Sequence, residues 1–369
     1  MRSDVRMRFA IKRKAVTVTA DPARVNMSGA HDGDGKLCMR TVKRVDLTSW
    51  WGVVCLVYVV MFLSGTVAHG YGNDASTKGG VSASVKVGAA WVSTSDQLKP
   101  NSDNRRTNTL QDDSDSFDEA VPIVLFDVRY GVDEHTEVYC GTPLEEFEPS
   151  LMLGVSHDLG TVGTLDVAGF YAFGQEVWAD PYVTGADRVE TDAEAYGGKI
   201  VLEDVFETRL SLGYKVSLVD VENDVIGNTY PDLRRDGTVH EASLGYGATI
   251  DDGSSITPVI TYTLADIDGA SQRYRGYGLR LLFVRATSRY AVRLFAGVSR
   301  NEYDKMHPMF KKVREDTLYR AGGVFTWFDP FGFEDTSVTL GAFWGKRDAN
   351  IGFFESATRG GILTVGYRF

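Results

Sequence analysis

From about Gly79 to the C-terminus one pattern repeats: eight to thirteen residues alternating apolar with small or polar side chains, then a turn. A strand turns successive side chains to opposite faces, so each unit writes an amphipathic strand. The closing stretch shows it plainly. Gly361, Leu363, Val365, Tyr367 and Phe369 share one face, while Gly360, Ile362, Thr364, Gly366 and Arg368 share the other. A soluble sandwich also alternates, but it buries its apolar faces against a second sheet and need not keep polar inward faces throughout. Lipid outside and a polar lumen inside fit the repeat better.

The pattern predicts an all-β chain forming a single antiparallel transmembrane barrel. Fourteen strands are expected, near 80–93, 120–130, 136–141, 150–157, 164–176, 194–202, 207–219, 238–250, 255–265, 273–283, 290–300, 316–328, 336–347 and 358–369. Twelve is the alternative, because the third is short. The expected lipid face carries Leu165, Val167, Tyr171 and Phe173, then Leu210, Leu212, Tyr214, Val216 and Leu218. Farther along it carries Leu244, Ile260, Tyr262, Leu294, Val298, Leu340 and Trp344. Compact turns at 131–135, 158–163, 203–206, 251–254, 284–289 and 329–335 alternate with longer polar loops at 95–119, 177–193, 220–237 and 301–315. That asymmetry predicts short periplasmic turns and longer outer loops. Trp91, Tyr139, Trp178, Tyr182, Trp327, Phe328, Trp344, Phe353 and Phe354 gather near strand ends, where interfacial girdles need rings.

The apolar run at 50–63, WWGVVCLVYVVMFL, follows Lys43 and Arg44 and precedes small residues ending at Ala68. It is too short to span a bilayer as a helix. The order is that of a signal peptide, so residues 1–70 read as leader, with Met39 as the expected start, and 71–369 as the barrel. Beyond residue 68 the chain holds 28 basic and 45 acidic residues, a net charge near −17. Binding nucleic acid needs a basic surface, so that partner is not expected.

Chemistry is sparse. Cys140 is the lone cysteine after the leader, and no Cys/His spacing suggests a metal. His69, His135, His157, His240 and His307 are scattered, with no His-Ser-Asn set on adjacent strands. Neither catalysis nor a cofactor is expected. The first long loop is acidic through Asp112, Asp113, Asp115, Asp118 and Glu119. Such carboxylates can bridge through divalent cations to lipopolysaccharide phosphates.

The inward parity carries the charge. Lys215, Glu241, Arg280, Arg293 and Arg320 are the candidate pore-lining residues, with Lys86, Asp127, Arg129, Asp166, Lys199 and Glu194 on the same parity. Fourteen strands fall between a filled barrel and a wide pore. A porin-like channel for small polar solutes is expected, with anion preference if the three arginines form a ladder. The alternative is a closed structural or surface-binding barrel acting through its outer loops.

The ending on Phe369 resembles the outer-membrane barrels of Gram-negative bacteria, whose assembly machinery reads the final strand. That resemblance implies an assembly signal at Leu363, Val365, Tyr367 and Phe369. HPMFKKVREDTLYR (307–320), DPFGFEDTSVTLGAFWGKRDANIGFFES (329–356), EVWADPYVTG (176–185) and TVGYRF (364–369) resemble a Gram-negative outer-membrane family catalogued as a domain of unknown function. The family implies a barrel in the cell outer membrane. Its implied partners are lipid, lipopolysaccharide and the assembly machinery, and a homo-oligomer is possible for porin-like barrels. It supplies no catalytic residues.

Overall fold

The computed structural model describes residues 79–111, 114–143 and 150–369. The expected leader, Asp112 and Asp113 lie outside the described residues, as does the side chain of Phe173. The described chain is built on fifteen strand segments. They are β1 (Val81–Asp96), β2 (Ser116–Gly131), β3 (Thr136–Gly141), β4 (Ser150–Asp158), β5 (Thr164–Trp178), β6 (Glu190–Glu203) and β7 (Leu210–Val221). There follow β8 (Gly237–Tyr246), β9 (Ala248–Asp251), β10 (Ser254–Ile267), β11 (Tyr274–Ala286) and β12 (Tyr290–His307). The last are β13 (Lys312–Phe328), β14 (Thr336–Ala349) and β15 (Ser356–Arg368). Gly247 alone separates β8 from β9, and both pair with β10, so the two segments make one stave. The staves number fourteen, each antiparallel to its neighbours.

The sheet closes on itself. β15 pairs with β1 from Ser84↔Arg368 to Asp96↔Ser356, and the Phe369 amide donates to the Ala83 carbonyl at 2.8 Å. β10 pairs with β11, so no stave lacks a second neighbour. Closure satisfies the ladder all round, which strands need where water is absent.

The outer face of the ring is apolar. Val87, Leu153, Ile260, Leu279, Leu340 and Val365 each expose half or more of their surface, from 51 to 60%. Fully burying such a side chain is worth roughly 1.5–3 kcal/mol. A continuous belt of them around one ring is a surface that hydrocarbon solvates better than water. Leu363, Tyr367, Trp91 and Trp344 face the same way.

Several sequence expectations change. The stretch 301–315 is not a loop: β12 and β13 run through it to a turn at 308–311, with Arg300 paired to Glu302 and to Glu315 on their surface. Charged alternation there extends a hairpin beyond the apolar belt. The loops at 95–119 and 177–193 are shorter than expected, because β1, β2, β5 and β6 run farther out. Glu194 lies on the outward parity with Tyr196 and Ile200, not in the lumen. Among the expected girdle aromatics, Tyr139 points inward, its hydroxyl donating to Asp166 at 2.8 Å, and Phe328 is buried near Arg368. Trp178, Tyr182, Phe353 and Phe354 are buried among the long loops. Trp91, Trp327 and Trp344 keep outward positions.

Candidate functional site

The inward parity places Lys215, Glu241, Arg280, Arg293 and Arg320 inside the ring, opposite the exposed Tyr214, Leu244, Leu279, Leu294 and Tyr319. Their surroundings differ from one half of the wall to the other. From β2 to β8 acid and base alternate. Arg129 donates to Asp127 and Glu137, each at 2.8 Å. Asp166 accepts from Tyr139 and lies 3.8 Å from Lys199. Lys215 sits beside Glu241 in register and 5.0 Å from the centre of the Phe170 ring.

From β10 round to β1 the charges are one-sided. Inward carboxylates there occur only at Asp96 and Asp316, both at the long-loop end, facing Arg314 and Arg347. Below them the wall carries Lys86, Arg280, Arg293 and Arg320. Arg280, Arg293 and Arg320 are all exposed, although they point inward, so the lumen holds space for water.

Two inward aromatic rings lie along the wall and leave that space open. Phe343 lies over Gly360, where a Cβ would come within 2.5 Å of its ring. Phe295 lies over Gly322, with a corresponding approach of 2.7 Å. Any side chain at either glycine would force the ring towards the axis.

The long-loop end is covered. Seven connections leave it, and those after β1, β5, β7, β12 and β14 meet in one apolar cluster of Tyr182, Ile226, Leu233, Ile351, Phe353 and Phe354. Leu98, Leu110, Met309 and Phe310 pack against it. A short helix, Val225–Thr229, and the turn Pro231–Leu233 carry Ile226 and Leu233 in. His307, 1% exposed, is at its centre. The Met309 amide donates to His307 Nδ1 at 3.3 Å, which puts the ring proton on Nε2, 3.0 Å from the Tyr182 hydroxyl oxygen. Burial lowers the His307 pKa to about 4, with Arg314 adding to the shift, and burial pushes the Tyr182 phenol up. The Arg314 guanidinium lies 3.7 Å from the Phe354 ring centre and donates to both Asp316 oxygens, at 2.9 and 2.6 Å.

Arginines stitch the loops together. Arg188, fully buried over the Trp178 ring, donates to the carbonyls of Gln97, Asn104 and Pro181, and Trp178 Nε1 also donates to Gln97 at 3.1 Å. Arg235 joins Asp224 at 2.8 Å to the Trp178 carbonyl. The sequence left a closed barrel open as an alternative but placed Trp178, Tyr182, Phe353 and Phe354 in an interfacial girdle rather than in this cover. The one signal was the density of aromatics and arginines in segments otherwise polar.

A separate acidic group, Glu176, Glu190, Asp192 and Glu222, lines a shallow cavity of about 410 Å³ at the rim of β5 and β6. Among the described residues no cluster has the arrangement to hold a metal ion.

Several solved structures of outer-membrane proteins are similar to the chain at low identity. An outer-membrane channel from Pseudomonas putida F1 is 14% identical with a TM-score of 0.42, covering 82% of this chain and 100% of its own. The outer-membrane channel DcaP of Acinetobacter baumannii is 12% identical with a TM-score of 0.39, covering 80% and 100%. A Pseudomonas aeruginosa FadL homologue is 10% identical with a TM-score of 0.37, covering 78% and 90%. No curated protein sequence matches the chain. Residues 80–368 match the family described as "Protein of unknown function (DUF2860)", and the chain belongs to that family.

Proposed function

We propose that this protein is an outer-membrane channel for small polar solutes whose outer mouth is covered by its long loops. One observation carries the reading: guanidinium groups stand exposed inside a closed ring whose outer face is apolar. Charge exposed on the inner side of such a ring is solvated only if water fills the lumen. The long-loop end then faces outward and the short turns face the periplasm. Reconstitution in planar bilayers tests it. Protein that shows heat-modifiable gel migration, and is therefore folded, is expected to conduct in discrete steps; folded protein without conductance overturns the reading.

A second reading rests on the loop cluster. Five connections packed across the mouth also suit a barrel that is permanently closed and binds at its surface. Replacing residues 98–111 by a short Gly/Ser linker separates the two. Conductance rises if the loop obstructs a pore, and stays absent if the barrel is closed throughout.

A further inference from the structure

The one-sided wall has a geometry more specific than its net charge. Arg280 on β11 is in register with Gly297 on β12, and Gly297 is in register with Arg320 on β13. The two arginines therefore stand level, two strands apart, about 10 Å between backbones at the usual strand spacing. The residue between them has no side chain, and neither has Gly345, the partner of Arg320 on β14. On its other side Arg280 faces Val259 of β10. Nothing at this level supplies a carboxylate, and neither guanidinium makes an ion pair with a described residue. Both are exposed to the lumen.

Two guanidinium groups are long enough to converge over a glycine gap of that width. Each offers a planar fork of donors matched to the oxygens of a carboxylate or phosphate. Arg293 lies on β12 four residues from Gly297, about 13 Å towards the short-turn end, and continues the positive track. Lys86, which senses both Arg293 and Asp127, extends it across the seam. Apart from Asp96 and Asp316 at the long-loop end, where Asp316 is held by Arg314, the inward carboxylates of the described residues lie on the opposite half of the wall, engaged with Arg129 and Lys199 or set beside Lys215.

We propose that Arg280 and Arg320 form an anion-binding site in the lumen, taking a small solute that carries a carboxylate or phosphate group. The proposal rests on the channel reading for its transport role, but the site itself does not. A chain that is acidic as a whole thus reserves a basic wall for its interior. The glycine between the arginines is part of the site, because a side chain there would fill the gap the anion enters.

The test uses the folded full-length protein, R280Q, R320Q, the double variant, and Lys346→Gln as an outward, exposed control. In bilayers under a KCl gradient, the wild type is expected to show a reversal potential on the chloride side. Inorganic phosphate and succinate are each expected to reduce the chloride current. Losing either arginine raises the half-blocking concentration about tenfold, since a charge-assisted hydrogen bond contributes of that order. The double variant loses the block, and Lys346→Gln keeps it. If only one of the two probes blocks, the anion class narrows to that group. Calorimetric titration of phosphate and succinate into the detergent-solubilised barrel reads the site without conductance. A barrel that conducts with no anion preference and binds neither probe overturns the site and leaves the channel standing. Binding lost in the double variant, in a barrel that does not conduct, keeps the site and overturns the channel.

Discussion

The Tyr182 hydroxyl oxygen and His307 Nε2 lie 3.0 Å apart, although their strands are as distant as the ring allows. Tyr182 follows β5 and His307 ends β12; of the seven connections at that end, theirs are three apart in one direction and four in the other. The contact therefore spans the mouth. A bridge of this kind holds the cover shut, and its loss should open the cover without disturbing the staves.

Replacing His307 with Ala removes a hydrogen bond and a ring packed against Tyr182, Phe310 and Phe354. Tyr182 keeps its hydrogen bond to the Gln272 side chain, so losing the one to His307 costs about 0.5–1.5 kcal/mol, and the cavity left by the ring adds to it. The variant should keep the heat-modifiable migration of the folded barrel. Protease should cut its loops near 98–111 and 179–189 sooner than in the wild type.

Acid should loosen the same bridge. The His307 pKa is about 4 in the folded cover against an ordinary value near 6.5, so the opened cover binds the proton more readily. The contribution of neutral His307 is complete above pH 6.5, declines as pH falls from 6.5 to 4, and declines no further below. Single-channel conductance recorded across that range should rise as pH falls. His307→Gln, which cannot titrate, should flatten the response.

Arg314→Met leaves the Asp316 carboxylate, 2% exposed, without its bidentate partner. Breaking a buried pair from one side costs about 3–5 kcal/mol. Arg314→Met with Asp316→Leu should recover most of that loss. Loop protection from protease in the single and double variants gives the comparison, and equal protection in both would contradict it.

Leu340→Arg places a charge on the middle of the apolar belt, where the native residue is 51% exposed. In hydrocarbon this costs about 2–4 kcal/mol. The yield of folded barrel in lipid vesicles should fall. Arginine at the inward Thr358, level with Gly345, should be tolerated far better.

The staves were legible because period two survives any register. Lys215, Glu241, Arg280, Arg293 and Arg320 all keep the inward parity that alternation assigns them. Glu194 was misplaced although local parity forbids it: it is five residues from Lys199 on the same unbroken strand, so the two cannot share a face, and it falls in with Tyr196 and Ile200. The cover was not legible. Trp178 ends β5 and Phe354 lies two residues before β15, beside strand ends as a girdle residue would, and only contacts from distant loops bury them. The segment 301–315 misled for a different reason: a hairpin standing in water needs no oily face, so its strands read as polar loop.

The seam between β1 and β15 has a temporal consequence. Synthesis delivers β15 after all the other described strands, yet β1 waits for it through thirteen register pairs. Until that edge arrives, the first strand presents a bare row of amides and carbonyls that no earlier part of the ring can satisfy. Until the two edges meet, the growing sheet carries two open margins, and joining them is the event that turns a sheet into a cylinder.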